Sequence, residues 1–186
     1  MAVDVERHRF SIEQFERMVQ VGVLTENDRV ELIDGEIVEM AAPSPDHSIP
    51  VQRLARLFIE RLGDRAYVRV QDAVRIPPSS EPEPDLVLAR PPDVRYLRRH
   101  PEPGDLLLIV EVSHNTHVYD RDLKLPLYSR SGVLEVWILD VPRERLEVYR
   151  EPGPDGYGRV EVVDRGGSVA PERFPDVRVA VNDVLP

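Results

Sequence analysis

The amino-acid sequence predicts an α/β (α+β) domain with a central mixed β-sheet, about three flanking helices and an extra C-terminal β-hairpin. Three observations support this prediction. Apolar residues recur at helical spacing in only three stretches. Several shorter runs are rich in β-branched residues and are bounded by Gly and Pro, which is typical of strands. One run, Leu106 to Val112, is apolar on both faces apart from Glu111, which predicts a central strand buried on both sides.

Length and composition favour a single domain that spans residues 1–186. Hydrophobic residues make up 41% and charged residues 31% of the chain, as in ordinary globular proteins. No apolar run is long enough to cross a bilayer, and the first ten residues lack the apolar stretch of a secretory signal. We therefore expect a cytoplasmic protein without a membrane partner. The absence of cysteine excludes disulfides and thiolate metal sites.

The net charge of −10 argues against strong, sequence-independent DNA binding by a monomer, because phosphate contacts supply most of that affinity. It does not exclude nucleic acid, since a bound divalent metal offsets local carboxylate charge. Of the 24 basic residues, only Lys124 is a lysine. Chance on a solvated surface explains a lone lysine, but its retention among arginines also indicates a chemical role for a compact ammonium group.

The N-terminal third contains two predicted helices with a hairpin between them. The first helix begins near Ser11, which forms a capping box with Gln14. Asp34-Gly35, inside RVELIDGEIVEM, predicts a type I′ turn between two short strands. A second helix is predicted from Asp46 to about Leu62, because its apolar residues follow a helical period.

Strands dominate the remainder of the predicted fold. The patterns predict strands at Tyr67 to Ile76, Asp85 to Ala89, Leu106 to Val112 and Leu134 to Leu139, with a helix that ends at Gly132. A hairpin follows, with strands Arg145 to Tyr149 and Arg159 to Val163 around a turn at Asp155-Gly156. The C-terminal tail is expected to add one more edge strand.

Asp85 and Glu111 are the first candidates for chemistry. If their strands pair antiparallel, the start of one lies beside the end of the other, and the two carboxylates meet at one end of the sheet. An unpaired carboxylate in an apolar strand is costly, and a hard divalent cation is the simplest compensation. Two ordinary explanations remain open: Asp85 as a turn residue after Pro84, and Glu111 in a salt bridge with one of the arginines.

Several motifs, taken in order, resemble a known family. PDLVL at Pro84 to Leu88 and LLLIVEVS, which ends at Ser113, are similar to the PD-(D/E)XK nuclease superfamily. RVELIDGEIVEM, EPEPDLVL, IVEVS, DRDLK and YSRSGVLEVWILD resemble, more narrowly, the Uma-type family of restriction endonucleases. The resemblance covers roughly Phe10 to Asp140. It implies a restriction-endonuclease-like core, a metal-dependent nuclease and a nucleic-acid substrate.

The lysine departs from the general superfamily pattern, in which it lies two residues after the glutamate. That position holds Ser113 here. In the Uma-type family the lysine stands on the following helix, and Lys124 in DRDLK matches it. Because Pro126 is tolerated only in a first helical turn, we expect this helix to start near Asp122. Lys124 and Tyr128 would then share a face.

The resemblance implies catalytic roles for Asp85, Glu111 and Lys124. Asp85 and Glu111 would hold Mg²⁺ or Mn²⁺, and Lys124 would orient or deprotonate the attacking water and balance charge at phosphorus. Glu31 matches an acidic residue of the family and is a candidate third metal ligand; the alternative is a solvent-facing strand glutamate.

Three residues are weaker candidates for contacts with substrate. They are His47, Gln71 and Tyr128, for which ordinary helix, sheet and packing roles are equally open. His114 and His117 lie three residues apart in what the sequence indicates is a loop, and we do not expect them to bind metal.

The sequence therefore predicts a Mg²⁺-dependent endonuclease that hydrolyses phosphodiester bonds of DNA. A homodimer is expected, because cutting both strands of a duplex needs two sites. The alternative is a catalytically inactive nuclease fold that serves as a binding or regulatory module, which the −10 charge favours. A glycoside hydrolase that uses Asp85 and Glu111 as acid and base is much less favoured, since no aromatic sugar platform is visible.

Overall fold

The computed structural model describes residues 7–25, 27–42, 44–114 and 116–186. In the described part the helices are α1 (Ile12–Gln20), α2 (Pro45–Leu62), α3 (His117–Tyr119), α4 (Leu125–Arg130) and α5 (Val181–Val184), with a π-helical segment (Asp120–Lys124) that joins α3 to α4. The strands are β1 (Val30–Ile33), β2 (Glu36–Glu39), β3 (Tyr67–Val70), β4 (Leu86–Ala89), β5 (Leu106–Ser113), β6 (Glu135–Asp140), β7 (Arg145–Gly153), β8 (Gly156–Asp164), β9 (Ser168–Val169) and β10 (Val179–Ala180).

A six-stranded mixed sheet forms the centre of the fold, in the order β3-β4-β5-β6-β7-β8. Only the β5–β6 pair is parallel; the other four neighbouring pairs are antiparallel. β5 is buried along all eight residues, as its apolar sequence predicted. The fold is thus the mixed α+β architecture that the sequence predicted, and the C-terminal hairpin β7–β8 extends the central sheet.

The two faces of the sheet carry separate apolar clusters. On one face, α2 packs through Val51, Leu54, Phe58 and Leu62 against the sheet, and Trp137 belongs to the same cluster. On the other face, the second cluster includes residues from α4 and from the first hairpin. Near β5, α2 covers one face of the sheet, and α4 with the first hairpin covers the other. The end of β5 therefore lies at the base of a pocket.

The N-terminal predictions match the structure closely. Ser11 caps α1, and its capping box with Gln14 is present. Asp34 and Gly35 have φ angles of 50° and 78°, as a type I′ turn requires, and Ile33 pairs with Glu36 across them. α2 begins at Pro45, one residue before the predicted Asp46.

Two predicted strands differ from the observed ones. The strand expected to run from Tyr67 to Ile76 ends at Val70, because Gln71 adopts a left-handed φ of 47° that breaks the extended backbone. The tail does not join the central sheet. β9 pairs with β10 in a separate two-stranded sheet, and Phe174 and Val177 of the intervening segment pack into the cluster on the α2 face.

The helix that carries Lys124 begins at His117, five residues before the predicted Asp122. Pro126 lacks a backbone N–H and crowds the preceding turn of an α-helix, so a regular helix through this point would be strained. The π-helical segment resolves the conflict. Leu125 donates its N–H to the Asp120 carbonyl, five residues back, so the wide turn immediately precedes the proline.

Candidate active site

A pocket of about 350 Å³ opens at the end of the sheet where β5 terminates and β4 begins. Its walls come from the β1–β2 hairpin, the start of α2, the residues before β4, the end of β5 and the π-helical segment. Six carboxylates line it: Glu31, Glu39, Glu83, Asp85, Glu111 and Asp120. Arg29 and Lys124 are the only arginine or lysine among its lining residues, so the pocket carries a surplus of negative charge.

Antiparallel pairing of β4 with β5 brings Asp85 beside Glu111. Leu86 pairs with Val110, so the residue before β4 lies opposite the residue after Val110. Two hydrogen bonds cross the junction: Val112 N–H donates to Asp85 Oδ2 at 2.8 Å, and Asp85 N–H donates to Glu111 Oε2 at 3.4 Å. Each carboxylate is therefore held by the backbone of the other's strand.

Glu111 is 2% exposed and is held from behind by Tyr128, whose hydroxyl donates to Glu111 Oε1 at 2.6 Å. Burial raises the pKa of Glu111 to about 8, and the nearby Lys124 acts in the opposite direction. A carboxyl group with this pKa is poorly stabilised when it is ionised, so a cation that replaces its proton stabilises the ionised form strongly.

Lys124 points from the π-helical segment into the same charge cluster. Its Nζ lies 3.3 Å from Glu31 Oε2 and 3.4 Å from Glu111 Oε1. Burial alone would lower the pKa of Lys124, but attraction to the surrounding carboxylates, Glu111 first and Glu31 next, outweighs it and raises the pKa above its usual value. The amine therefore stays protonated at neutral pH. This geometry fits the charge-stabilising role expected for Lys124.

Glu31 is buried, so its alternative as a solvent-facing strand residue is wrong. Its Oε2 accepts from Glu83 N–H at 2.9 Å, and its Oε1 accepts from the Tyr119 hydroxyl at 2.7 Å. Among the residues that the structure describes, Glu31, Asp85 and Glu111 do not bring ligand atoms within 4.8 Å of one another. The role of Glu31 as third metal ligand stays a prediction. Glu31 positions the ammonium group of Lys124.

Asp120, which the sequence interpretation missed, anchors the π-helical segment to the sheet. Its Oδ2 accepts from Ser113 Oγ at 2.6 Å and from Thr116 Oγ1 at 2.7 Å. Burial raises its pKa, which Lys124 and the two hydroxyl groups oppose. The signal in the sequence was its position four residues before Lys124 on the same helical stretch. Ser113, in the position where the superfamily has lysine, thus contacts the helix that supplies the lysine.

His47 and Gln71 both line the pocket. His47 Nε2 lies 3.0 Å from Asp85 Oδ1, and this hydrogen bond raises the pKa of His47 against the opposing effect of burial. Tyr128, in contrast, is fully buried behind Glu111 and does not line the pocket. The expectation that Tyr128 contacts substrate is corrected: its hydroxyl positions Glu111.

A second charge cluster lies one strand away, and we call it the edge cluster: His117, Asp140, Glu147, Arg143 and Arg145. His117 Nε2 lies 3.4 Å from Asp140 Oδ2 and 3.6 Å from Glu147 Oε1, and ligand atoms of these three residues fall within 4.8 Å of one another. His114 and Thr116 lie outside any helix, as predicted, but His117 is the first residue of α3 and not part of the loop.

The carboxylates of the edge cluster already have cationic partners. Arg143 Nη1 donates to Asp140 Oδ2 at 2.8 Å, and Arg145 donates to Glu147 Oε1. The two oxygens that would ligate a metal are thus occupied by guanidinium groups. The edge cluster is therefore a weaker metal site than its His/Asp/Glu composition indicates.

Comparison with known proteins agrees with the fold and the family resemblance. A crystal structure of a "putative nuclease belonging to DUF820" from Anabaena variabilis ATCC 29413 superposes with a TM-score of 0.71 at 16% sequence identity, and covers 94% of this chain and 97% of that chain. The two chains therefore share one fold. The model of the Uma2 family, described as "putative restriction endonuclease", matches residues 12–182. The chain belongs to the Uma2 family.

No curated protein matches the chain significantly. Within the described residues, none of the helices is both long and apolar enough to cross a membrane.

Proposed function

We propose that this chain is a Mg²⁺-dependent endonuclease that hydrolyses phosphodiester bonds of DNA. One observation supports the proposal above all others: Asp85, Glu111 and Lys124 come from three different elements and converge on one pocket. Family membership supports a nucleic-acid substrate, and DNA is the substrate that the family description implies.

The chemistry of the pocket fits a divalent cation. Six acidic residues line the pocket against two basic ones, Arg29 and Lys124, so the pocket repels a phosphodiester once these acids ionise. Asp85 and Glu111 offer carboxylate oxygens, the ligands that Mg²⁺ prefers, with positions left for water and phosphate. Bound there, Mg²⁺ or Mn²⁺ would neutralise the two acids, polarise the scissile phosphate and lower the pKa of an attacking water.

The residues of the chain divide the remaining tasks. The Lys124 ammonium group, held by Glu31 and Glu111, stabilises negative charge that develops on the phosphate oxygens. Tyr128 keeps Glu111 in position from the protein interior. His47 and Gln71 lie on the pocket wall, where they contact the sugar-phosphate backbone of the substrate.

The direct test is a cleavage assay on supercoiled plasmid with Mg²⁺ or Mn²⁺, followed by gel electrophoresis. The wild type should nick and linearise the plasmid only with metal present. Glu111→Gln and Lys124→Ala should each reduce the rate by about 100-fold or more. The first removes an anionic metal ligand, and the second removes the ammonium group that stabilises charge on the phosphate. Glu60→Gln, on the exposed side of α2, is the matched control and should cleave like the wild type.

Calorimetric titration with MgCl₂ and MnCl₂ shows whether a variant or substrate that gives no cleavage still leaves metal binding intact. Metal binding without cleavage of duplex or single-stranded DNA would retain the metal site and overturn DNA as substrate. Failure to bind either ion at millimolar concentration would favour the alternative, a catalytically inactive nuclease fold that acts as a binding module.

A further inference from the structure

β8 is the outermost strand of the central sheet on the side away from the pocket. It is nine residues long and pairs with β7 in one register from Arg145–Asp164 to Gly153–Gly156, with an interruption at Gly158, where Glu151 of β7 has a left-handed φ of 61°. In the described part of the chain, no strand pairs with its other edge. The tail, which could have covered this edge, crosses the α2 face of the sheet instead. β8 therefore presents a row of backbone donors and acceptors to solvent.

Natural proteins protect exposed edge strands from pairing with other chains. β8 is neither short nor interrupted by proline or by a shift in register. Edge strands are kept short or are interrupted by proline or a bulge, because a long regular edge recruits another strand. The opposite edge of this sheet follows the rule: β3 has four residues and is broken by the left-handed Gln71. β8 is more than twice as long, contains no proline and pairs with β7 without a register shift.

The side chains of β8 alternate in a way that suits pairing. Val160 and Val162 lie on one face of the strand and are 53% and 50% exposed. Arg159 and Glu161 lie on the other face. Arg159 forms exposed ion pairs with Glu172 at 3.3 Å and Glu151 at 3.8 Å. The exposed Glu161 lies 3.5 Å from the buried Arg150, which Glu135 also holds at 2.6 Å. Pairs of this kind contribute little to stability, so both charged groups can exchange partners at small cost.

We propose that β8 pairs antiparallel with β8 of a second copy of this chain, with Val160 on the two-fold axis. In this register Arg159 lies opposite Glu161 of the partner subunit, and the symmetric pair repeats the contact. The two Val160 side chains face each other, and Val162 lies opposite Gly158 of the partner subunit. Opposite charges across a strand pair stabilise it, and like charges there destabilise it.

Other symmetric registers are less favourable. An axis through Arg159 or Glu161 places like charges directly opposite each other. An axis through Val162 places Val160 opposite Asp164 of the partner subunit, and an axis through Gly158 places Val160 opposite Gly156 of the partner subunit. Only the register centred on Val160 forms both Arg–Glu pairs and keeps the valines together.

The dimer joins two six-stranded sheets into one and leaves both pockets open, since β8 contributes nothing to the pocket lining. A two-fold axis through a pair of antiparallel strands runs normal to the sheet and reverses every strand. The two pockets therefore lie at opposite ends of the joined sheet. This pairing goes beyond the proposed function and does not depend on it: neither copy completes the site of the other, and the two sites cannot act together on one short stretch of duplex.

The test is sedimentation velocity of the full chain over a range of concentrations. A strand-to-strand contact is smaller than a standard interface, so we expect a dissociation constant of about 1 to 100 µM. The wild-type mass should rise from 21.3 kDa towards twice that value as concentration increases. Arg159→Glu should keep the protein monomeric, because two acidic groups then face each other across the axis.

A charge swap makes the test specific for the register. The double variant Arg159→Glu/Glu161→Arg should recover the wild-type dissociation constant within about threefold, since opposite charges again face each other. Leu97→Lys, at an exposed apolar residue outside β8, is the control and should dimerise like the wild type. Thermal melting of each variant checks that the fold is intact. A wild type that stays monomeric at all concentrations, or an Arg159→Glu variant that dimerises normally, would overturn the proposal.

Discussion

The pocket and the edge cluster lie side by side at the same end of the sheet and contain similar residues. Glu111 and Ser113 lie at the end of β5, Asp140 ends β6, and the parallel pairing places Ser113 directly beside Asp140. Each region buries at least two carboxylates, and each contains a tyrosine whose hydroxyl donates to a glutamate at 2.6 Å. Composition alone would not separate them.

What separates them is charge compensation. In the edge cluster each carboxylate has its own arginine, so the buried charges are already balanced. In the pocket Lys124 is shared between Glu31 and Glu111, and Asp85 faces the half-buried His47. Balanced buried charges make a structural ion-pair network, and unbalanced ones that face a cavity attract a cation. On this argument we expect the pocket, and not the edge cluster, to bind a divalent cation.

The sharpest test exchanges aspartate for asparagine in each region. Asp85→Asn should weaken Mg²⁺ binding by about 100-fold or more and leave the stability of the metal-free protein unchanged or higher, since it removes an uncompensated charge. Asp140→Asn should leave Mg²⁺ affinity within about twofold but lower the free energy of unfolding, because Arg143 loses the carboxylate that accepts its hydrogen bond.

Calorimetric titration and urea unfolding measure the two quantities on the same samples. If Asp140→Asn abolished metal binding while Asp85→Asn retained it, the edge cluster would be the metal site and the comparison would be reversed.

Metal binding in the pocket should also depend on pH. The pKa of Glu111 is raised to about 8, so below that pH a metal must displace a proton from it. Mg²⁺ affinity should therefore increase between pH 6.5 and 9, by up to about tenfold per pH unit below pH 8. Equilibrium dialysis at fixed ionic strength measures this directly. An affinity independent of pH over this range would mean that Glu111 is already ionised without metal.

The raised pKa of Glu111 also makes the stability of the metal-free protein depend on pH. A carboxyl group whose pKa is higher in the folded state stabilises the fold below its unfolded pKa, and this contribution is lost as pH rises through the folded pKa. Glu111 thus lowers the stability of the metal-free protein between about pH 4.5 and about 8, and Mg²⁺ should restore more stability at pH 8 than at pH 6.

The smallest expected effect comes from two tyrosines with the same local geometry. Tyr128→Phe removes the hydroxyl that holds Glu111 and should weaken Mg²⁺ binding by about tenfold, as loss of an outer hydrogen bond to a metal ligand usually does. Tyr149→Phe removes the equivalent bond to Glu147 and should leave the affinity unchanged.

Both tyrosine variants should lose about 1 kcal/mol of unfolding free energy, which makes them matched controls for each other. Equal effects on metal affinity would show that Tyr128 acts on the fold as a whole and not on Glu111.

Elements set by local chemistry were predictable from the sequence. The Asp34-Gly35 turn needs two left-handed residues in succession, which few sequences tolerate. β5 was recognisable because it is apolar on both faces. Errors arose where the backbone departs from regular geometry: the left-handed Gln71 shortened β3, and the π-helical segment before Pro126 allowed the helix to begin at His117.

The site residues differ in the same way. Antiparallel pairing of neighbouring strands was enough to bring Asp85 and Glu111 together, and the family resemblance pointed to Lys124. Asp120 offered only its position four residues before Lys124 as a signal, and the partners of Glu31 offered none, because their contacts depend on how the helical segment packs on the sheet. The edge cluster joins residues from three elements, and no spacing along the chain indicates that they meet.

Lys124 is the only lysine of the chain, and its amine is both buried and held in the protonated form. Amine-selective reagents need an accessible, neutral amine, so in the native protein they should spare this side chain. Modification of Lys124 would then report local opening of the helical segment. The lone lysine is therefore a natural single-site probe of how often this segment opens locally, and no engineered label is needed.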